Sequence, residues 1–435
     1  MLPSLKKTDI DLYNIVEEEL ARQRTGIEMI ASESYVPTEI LELQGSIFTN
    51  KTMEGFPGNR YHAGHKVIDK METLGIERAK ALFKAGYANI QPHSGSQANQ
   101  SVYSAILEPC DTVLGMRLDQ GGHLTHGSKV NFSGKIYNFY SYGVNKETER
   151  IDYEEIEKLA KEHNPKLIVA GASSYPRIID YERISEIAKS VNAYFMVDMA
   201  HIAGLVAAGL IPSPVPHADF VTSTTTKTLA GARGGFILSK EEFGKKLNKA
   251  TFPGVQGSMH PQIMAAKAFT FKRAMTEEYR NCMAQVIKNA QKLAQVLIAN
   301  GFRVVTGGTD NHLLVVDLRA KNLTGAQFES ALDSVGITVN KNMIPFDPQK
   351  PMITSGVRIG ATAITIPMIT SGVRIGATAI TIRGMKENEI ETIGDLMKTV
   401  ADNIDDYSAL NKVRKQVLEL SSKFPLYEDY FGSIE

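Results

Sequence analysis

The sequence is poor in the residues that mark several common classes of protein. It has only two cysteines, Cys110 and Cys282, which lie far apart in the chain of 435 residues. They form neither a disulfide framework nor a CxxC redox or zinc pattern, so we expect a reducing, cytoplasmic environment. An excess of charge of either sign is also missing, because 48 basic residues face 48 acidic ones. The composition therefore lacks the excess of positive charge that is typical of proteins that bind nucleic acid or an anionic membrane.

Long apolar runs are missing as well. The longest apolar stretch, HIAGLVAAGLIP, is too short to span a bilayer, and the N-terminal segment has no apolar region of the signal-peptide kind before its charges begin. We therefore expect a protein that is neither secreted nor inserted in a membrane. What is present is a 43% share of hydrophobic residues, enough for a large core, in a chain whose length suggests two or three domains.

Strand-like apolar runs alternate with helical patterns through much of the chain. The runs are YANIQ, DTVLGM, KLIVAGAS, AYFMVDMA, DFVTSTT and GGFILS. This alternation predicts an α/β fold with a mostly parallel sheet. A long helical pattern that starts near Met275 and ends at Gly301 then leads into shorter strands and further helices. We accordingly expect an N-terminal arm (1–50), a large α/β domain (51–275) and a small C-terminal α+β domain (276–435).

One segment occurs twice. PMITSGVRIGATAITI occupies residues 351–366 and, letter for letter, residues 367–382. Repeat architectures need several copies that stack into a common core, and a single exact duplicate does not provide them. We predict that one copy fills a strand of the fold, while the other is extruded as a loop or displaces its twin. The sequence leaves open which copy fills the strand.

A group of small polar residues follows the first of these strands, in the region where doubly wound sheets bind ligands. Ser94, Gly95 and Ser96 come directly before a helical pattern. Hydroxyls and backbone amides at the N-terminus of a helix can hold a phosphate group, although serine and glycine at such a position are more often plain capping residues. The segment is therefore a candidate phosphate seat only in combination with further residues.

At or after the ends of three later strands lie residues whose side chains could bind a cofactor or take part in catalysis. His123 and His126 have H-x-x-H spacing, but no third ligand of suitable spacing follows, so we predict no metal site and expect the His123 imidazole to lie flat on an aromatic cofactor. Asp198 ends a strand, with His201 three residues on; besides capping a helix, its carboxylate could pair with a protonated pyridine nitrogen. Lys227 lies just past a strand in a Thr-rich run, where an amine can serve as a Schiff-base nucleophile.

Together these blocks resemble the serine hydroxymethyltransferase family over nearly the whole chain. The matching segments, in order, are EMIASES, EGFPGNRY, NIQPHSGSQAN, GGHLTHGSKVNFSGK, VDMAHIAGLVAAG, TKTLAGARGG, FPGVQG, GGTDNHL, GITVNKN, SGVRIG and FPLYEDY. The resemblance implies a fold-type-I enzyme that uses pyridoxal phosphate (PLP) to transfer a hydroxymethyl unit between serine and tetrahydrofolate. It also implies a homodimer or larger homo-oligomer with shared active sites, acting on small molecules.

The resemblance further implies roles for individual residues. Lys227 would form the Schiff base with PLP, Asp198 would pair with the pyridine nitrogen, and His123 would stack on the ring. Further contacts to the cofactor would come from Ser94, Gly95 and Ser96 at the phosphate, Ser173 and His201 at the phenolic oxygen, and Gly257 from a neighbouring subunit.

Other residues would bind the substrates by the same resemblance. Glu54, from a neighbouring subunit, would handle the proton of the substrate hydroxyl. The arginine of SGVRIG, which is Arg358 or Arg374, would clamp the substrate carboxylate through its guanidinium fork. The remaining substrate residues would be Ser32 and Tyr61 for the amino acid, and Leu124 and Asn342 for the folate.

The sequence departs from the family pattern close to the expected site. Thr52 and His62 each stand where the family has tyrosine, and Thr226 stands where it has histidine. These changes are neutral in a serine enzyme, or they make room for a substituent on the substrate Cα, so that α-methylserine and D-alanine would be preferred; admitting one methyl group is worth about 1–3 kcal/mol. A folate-independent aldolase and a PLP-holding paralogue without efficient turnover remain further alternatives.

Overall fold

The structure is a computed structural model that describes residues 2–347, 358–360, 363–365 and 371–431. The chain divides into two compact units. The first, called the central unit here, comprises residues 39–284, and the second, the terminal unit, comprises residues 1–38 together with 285–435. The predicted domain boundaries at residues 50 and 275 stay predictions. No helix in the described part of the chain is both long enough and apolar enough to cross a membrane.

The strands are short, as in most α/β proteins. In chain order they are β1 (Ile27–Glu28), β2 (Gly55–Phe56), β3 (Asn59–Arg60), β4 (Tyr87–Asn89), β5 (Thr112–Met116), β6 (Asn138–Tyr142), β7 (Leu167–Ala170), β8 (Tyr194–Asp198), β9 (Phe220–Thr224), β10 (Gly235–Ser239), β11 (Arg303–Val304), β12 (Leu313–Asp317), β13 (Ile337–Thr338), β14 (Asn340–Asn342), β15 (Arg358–Gly360), β16 (Ala363–Thr365) and β17 (Gly372–Gly376).

The helices range from a single turn to more than six turns. In chain order they are α1 (Pro3–Thr8), α2 (Ile10–Thr25), α3 (Thr38–Gln44), α4 (Lys66–Phe83), α5 (Gly95–Ile106), α6 (Phe132–Ile136), α7 (Tyr153–His163), α8 (Tyr181–Ser190), α9 (Ala203–Ala207), α10 (Gly244–Lys249), α11 (Pro261–Ala274), α12 (Glu277–Ala299), α13 (Gly325–Ser334), α14 (Thr378–Ile382), α15 (Glu387–Asp402), α16 (Tyr407–Ser422) and α17 (Glu428–Phe431).

The central unit is built on a seven-stranded sheet with the order β4-β10-β9-β8-β7-β5-β6. The pairs from β9 to β6 are parallel, whereas β10 runs antiparallel to both β4 and β9. Strands β7, β9 and β10 are buried along their whole length, as expected for strands covered on both faces. The predicted mostly parallel sheet is therefore confirmed, and it brings the ends of β5, β7, β8 and β9 to one edge.

Capping residues in the sequence determine where the helices that connect these strands begin and end. The Asp152 carboxylate accepts hydrogen bonds from the first-turn amides of α7, and Asp180 does the same for α8, so each helix starts at an aspartate cap. Helix α7 ends at His163, and the next residue, Asn164, has a left-handed φ of 43° that stops the helix. The large side chains that fill the sheet's core include Tyr103, Phe220 and Ile237.

The terminal unit combines a four-stranded sheet with helices from both ends of the chain. The strand order is β11-β12-β17-β14 and every pair is antiparallel, while β1 pairs with β13 in a separate parallel ladder. The main hydrophobic core of this unit includes Ile27, Leu293, Val316, Ile375 and Met397. The N-terminal segment therefore shares a core with residues more than 250 positions later.

The second copy of the duplicated segment supplies the inner strand β17. In β17, Arg374 is in register with Val315 of β12 on one side and Asn340 of β14 on the other. The carboxylate of Asp347 accepts hydrogen bonds from the amide and hydroxyl of Ser371, at 2.9 and 2.7 Å. From the first copy, the backbones of β15 and β16 pair antiparallel, and the rest of that copy lies outside the described residues.

Candidate active site

A cavity of about 370 Å³ opens in the central unit, where the ends of β4, β5, β7, β8 and β9 converge. Among the residues predicted to bind the cofactor, those that line this cavity are Ser94, Gly95, Ser96, His123, Ser173, Asp198, His201 and Lys227. A larger cavity of about 760 Å³ in the same unit is mostly apolar and is lined by none of the predicted site residues. The chemistry is therefore concentrated in the smaller cavity.

The first wall of this cavity is the N-terminus of α5. Ser94 caps the helix, and its hydroxyl accepts a hydrogen bond from the amide of Gln97 at 3.2 Å. A Cβ atom on Gly235 would lie 2.2 Å from the carbonyl oxygen of Ser94, so β10 can approach the cap only because this residue is glycine. Gly95 and Ser96, the first two residues of the helix, line the cavity, and the N-terminus of a helix suits an anion.

Asp198, at the end of β8, is the charged centre of the cavity. Its carboxylate accepts hydrogen bonds from the Asn99 amide at 2.8 Å, from His126 Nε2 at 3.3 Å and from the Ala200 backbone at 3.0 Å. Burial by itself would raise the pKa of Asp198, but the hydrogen bond from His126 and the nearby positive charges outweigh burial and hold this pKa well below its usual range. Asp198 is therefore a carboxylate at any physiological pH.

The histidines and Asn99 form a directed hydrogen-bond chain around Asp198. Thr222 Oγ1 donates to Asn99 Oδ1 at 2.5 Å, and Asn99 Nδ2 donates to Thr125 Oγ1 at 2.7 Å. Since the Thr125 hydroxyl accepts from Asn99, it is free to donate to His123 Nδ1, 2.7 Å away. His123 thereby has Nδ1 as an acceptor and carries its proton on Nε2 when neutral.

The same reasoning assigns His126. The backbone amide of His123 donates to His126 Nδ1 at 3.3 Å, so the proton of His126 lies on Nε2 and points to Asp198. Ligand atoms of His123, His126 and Asp198 lie within 4.8 Å of one another, close enough for a metal ion. Their hydrogen bonds to one another and to Thr125 give the cluster a function without one, and the absence of a metal stays a prediction.

Lys227 follows β9 on a loop that is fixed on both sides. Upstream, the Thr225 hydroxyl donates to the carbonyl of Ala232 and its amide donates to Gly234 at 3.0 Å. Downstream, the Thr228 hydroxyl donates to the carbonyl of His201 at 2.9 Å. The amine is thus presented to the cavity from a backbone that is held in place, as a nucleophile requires.

The two residues expected to act from a neighbouring subunit, Glu54 and Gly257, lie outside this cavity, and so does Tyr61, which is expected at the amino-acid site. Tyr61 is 68% exposed, Gly257 is exposed, and the Glu54 side chain is 31% exposed with His62 Nδ1 4.0 Å from its carboxylate. Leu124, predicted for the folate, is 44% exposed. Within the described residues, the cavity of one chain therefore contains the cofactor residues without Glu54, Tyr61 and Gly257.

A buried ionic cluster holds the β2–β3 hairpin that follows Glu54 and precedes Tyr61. Arg60 donates to Asp69 at 2.9 Å, to the Gly55 carbonyl at 2.6 Å and to Glu72. Glu72 is 1% exposed and also accepts from Gln91 at 2.7 Å, three residues before the α5 cap. The β2–β3 hairpin and the loop between β4 and α5 are therefore both hydrogen-bonded to the carboxylate of Glu72 on α4.

The predicted residues of the terminal unit lie near its four-stranded sheet. Asn342 ends β14, and its side-chain amide donates to the Met343 carbonyl at 2.6 Å. Arg374, on β17, donates from Nε to Asn340 Oδ1 at 3.1 Å, and burial lowers its pKa to about 10. Ser32 precedes the sheet in a turn of the N-terminal segment. The side chain of Arg358 lies outside the described residues.

Sequence reasoning did not identify Asn99, Thr125 and Thr222 as parts of the site. All three side chains are fully buried: Asn99 lies in α5, Thr125 in the loop that follows β5, and Thr222 in the middle of β9. Since buried polar groups are normally hydrogen-bonded, Asn99 within the pattern of α5 was the available signal.

The site can be compared with the needs of PLP. The N-terminus of α5, the ionised carboxylate of Asp198 and the side chain of Lys227 line one cavity. A phosphate, a pyridine nitrogen and an aldehyde require groups of these three kinds. In a scan against protein families, the model described as serine hydroxymethyltransferase matches residues 5–367. The match ends at the first residue of the second copy, so it includes Arg358 and not Arg374.

Proposed function

The chain belongs to the serine hydroxymethyltransferase family, and on this premise we propose that it interconverts serine and glycine in the cavity around Lys227, with tetrahydrofolate as one-carbon acceptor. Members of this family are fold-type-I PLP enzymes that use tetrahydrofolate as co-substrate, so PLP as cofactor and hydroxymethyl transfer as reaction class are established for the chain. The observation that carries the specific proposal is the convergence of Lys227, Asp198 and the α5 N-terminus on one cavity.

Each of these residues has a defined task toward the cofactor. When bound, PLP supplies an electron sink for negative charge at the substrate Cα. Lys227 holds the aldehyde carbon, and the capped start of α5, from Ser94 to Ser96, holds the phosphate. Asp198 stays ionised because of His126 and Asn99, so it keeps a proton on the pyridine nitrogen and thereby strengthens the sink.

The proton of the substrate hydroxyl is assigned to Glu54 of a second subunit. Glu54 and Gly257 do not line the cavity of their own chain. The hairpin after Glu54 is held by Arg60 and Glu72, and the Glu54 side chain is 31% exposed. A carboxylate fixed in this way suits delivery to a neighbouring molecule. We therefore propose a homodimer as the smallest active assembly, in the cytoplasm, where the two reduced cysteines are stable.

Arg374 is the proposed clamp for the substrate carboxylate. It lies on the inner strand β17, and burial disfavours its charge, as its lowered pKa shows. A substrate carboxylate would compensate that charge through two parallel N–H···O hydrogen bonds. Ser32 and Tyr61 complete the amino-acid site in the proposal, and Leu124 and Asn342 contact the folate.

The experiment measures release of the one-carbon unit from L-serine and from α-methyl-L-serine by the purified, PLP-loaded protein, each with and without tetrahydrofolate. We expect turnover of L-serine that depends on tetrahydrofolate. A preference for the α-methyl substrate would instead assign the pocket change to Thr52, His62 and Thr226. Turnover independent of folate would make the protein an aldolase, and no turnover of either substrate would refute the proposal.

A further inference from the structure

Lys267 on α11 is a charged residue buried next to the proposed phosphate seat. It is 1% exposed, and its Nζ lies 2.8 Å from each of three carbonyl oxygens, those of Ile90, Pro92 and Gly235. Gly234, which lines the cavity, is in contact with it, because a Cβ atom there would lie 2.1 Å from Lys267 Cε. The lysine is therefore separated from the cavity by a single layer of backbone.

The three carbonyl partners favour the charged form of Lys267. An ammonium group has three N–H donors, which match three carbonyl acceptors one to one. A neutral amine has two donors and a lone pair, so one carbonyl would face the lone pair and lose its hydrogen bond. All three acceptors are uncharged carbonyl oxygens. The described hydrogen bonds of Lys267 therefore satisfy its N–H donors but give its positive charge no counter-ion.

The carbonyls that Lys267 binds belong to the two segments that form the seat. Ile90 and Pro92 lie four and two residues before Ser94, and Gly235 begins β10. The amide of Gly235 donates to the Pro92 carbonyl at 2.9 Å. The Cα atom of Gly235 packs closely against the Ser94 carbonyl. One ammonium group thus joins the end of the β4 loop to the start of β10 and sets the position of the α5 cap.

The charged neighbours of Lys267 do not cancel its effect at the seat. Burial lowers the pKa of Lys267 to about 7, and Glu72 on α4 raises it; Glu72 is itself paired with Arg60. On the seat side, burial, His260 and Lys267 lower the pKa of His93 to about 4, so His93 is neutral at pH 7. The ammonium form of Lys267, which its three carbonyl partners favour, and a neutral His93 imidazole therefore lie next to a site proposed for a dianionic phosphate.

We propose that Lys267 is a positioning residue for the cofactor phosphate: it fixes the α5 cap through three backbone carbonyls and supplies positive charge from behind the seat without touching the cofactor. This inference rests on the proposed placement of the PLP phosphate at Ser94, Gly95 and Ser96. It differs from a purely structural role in one respect. Its loss must weaken ligands that carry the phosphate and spare ligands that lack it.

The test compares the binding of PLP and of pyridoxal, which has the same ring and aldehyde but no phosphate, to apoprotein by absorbance titration. The variants are Lys267→Met and Lys267→Gln, and the matched control is Lys272→Met, which removes an exposed lysine from the same helix. We expect both Lys267 variants to raise the Kd for PLP about tenfold or more while the Kd for pyridoxal changes less than about twofold. Lys272→Met should change neither Kd.

The Lys267→Gln variant keeps two N–H donors for the three carbonyls, so it carries the test if Lys267→Met does not fold. Equal weakening of PLP and pyridoxal, or no weakening of either, would overturn the role of Lys267 alone. If wild-type apoprotein bound PLP no more tightly than pyridoxal, the phosphate seat itself would be refuted, and the role of Lys267 with it. Competition by inorganic phosphate in the wild type, lost in both variants, would support the proposal.

Discussion

Replacing Asn99 by alanine tests whether the hydrogen-bond chain around Asp198 stabilises the site as its geometry indicates. The Asn99 side chain, fully buried on α5, donates to Asp198 at 2.8 Å and to Thr125 at 2.7 Å, and accepts from Thr222 at 2.5 Å. A hydrogen bond to a charged group contributes about 1.5–3 kcal/mol and a neutral one about 1 kcal/mol. Asn99→Ala should therefore lower the free energy of unfolding by about 3–5 kcal/mol.

The same helix provides a matched control. Ser101 is also fully buried, but its hydroxyl has no hydrogen-bond partner among the described residues. Because an unsatisfied buried hydroxyl is unfavourable, Ser101→Ala should leave the free energy of unfolding unchanged or raise it by about 1 kcal/mol. Both variants are made as apoprotein, so that differences in cofactor binding do not enter the comparison.

Urea denaturation followed by circular dichroism gives both values at one pH. A loss below about 1 kcal/mol in Asn99→Ala, or a loss equal to that of Ser101→Ala, would contradict the network as the source of stability. The holoprotein adds a second readout. Without Asn99 the pKa of Asp198 should rise, because a donor that favours the carboxylate is removed, and PLP should bind more weakly.

Three further predictions concern individual side chains. Lys227→Ala should abolish the absorption band of the bound cofactor in purified protein, and a retained band would refute its assignment. Arg374→Ala should raise the KM for L-serine by about a hundredfold, equivalent to about 3 kcal/mol, whereas Arg358→Ala should change it less than about twofold; comparable losses would contradict a single substrate arginine. The pKa of His93 is lowered to about 4 in the folded chain. Between about pH 6.5 and pH 4 the unfolded chain therefore binds a proton that the folded chain does not bind. The free energy of unfolding consequently falls on acidification through this window. His93→Gln should reduce that fall by about 2 kcal/mol, measured by urea denaturation at pH 7 and about pH 4.5, and an unchanged fall would contradict the assignment.

The inner strands of the large sheet were predictable because burial on both faces leaves a continuous apolar signal. DTVLGM, KLIVAGAS and DFVTSTT correspond to β5, β7 and β9. Strand β6 (Asn138–Tyr142) was not predicted, since it lies at the sheet edge and most of its side chains are at least partly exposed. The antiparallel direction of β10 was also not predictable, because strand direction depends on the tertiary path and not on the composition of the strand.

The candidate site divides in the same way. Asp198 ends β8, and Lys227 and His123 lie in the loops after β9 and β5, so their convergence could be predicted from the topology rule for parallel sheets. Asn99 and Thr222 act through contacts between an α5 side chain and a β9 side chain more than 120 positions away, which no local pattern contains. The pairing of β1 with β13 was missed because two-residue strands leave too short a periodic signal.

The contact between Asp347 and Ser371 has a practical consequence for protein engineering. Strands β14 and β17 pair in regular register although the chain between them carries sixteen residues more than one copy of the duplicated segment needs. Deleting residues 351–366 or residues 367–382 yields the same polypeptide, which supplies one GVRIG strand and should keep the activity. Conversely, the spare copy marks a position at which the chain accommodates foreign sequence, so an epitope tag or a fluorescent reporter could replace it between two anchored strands.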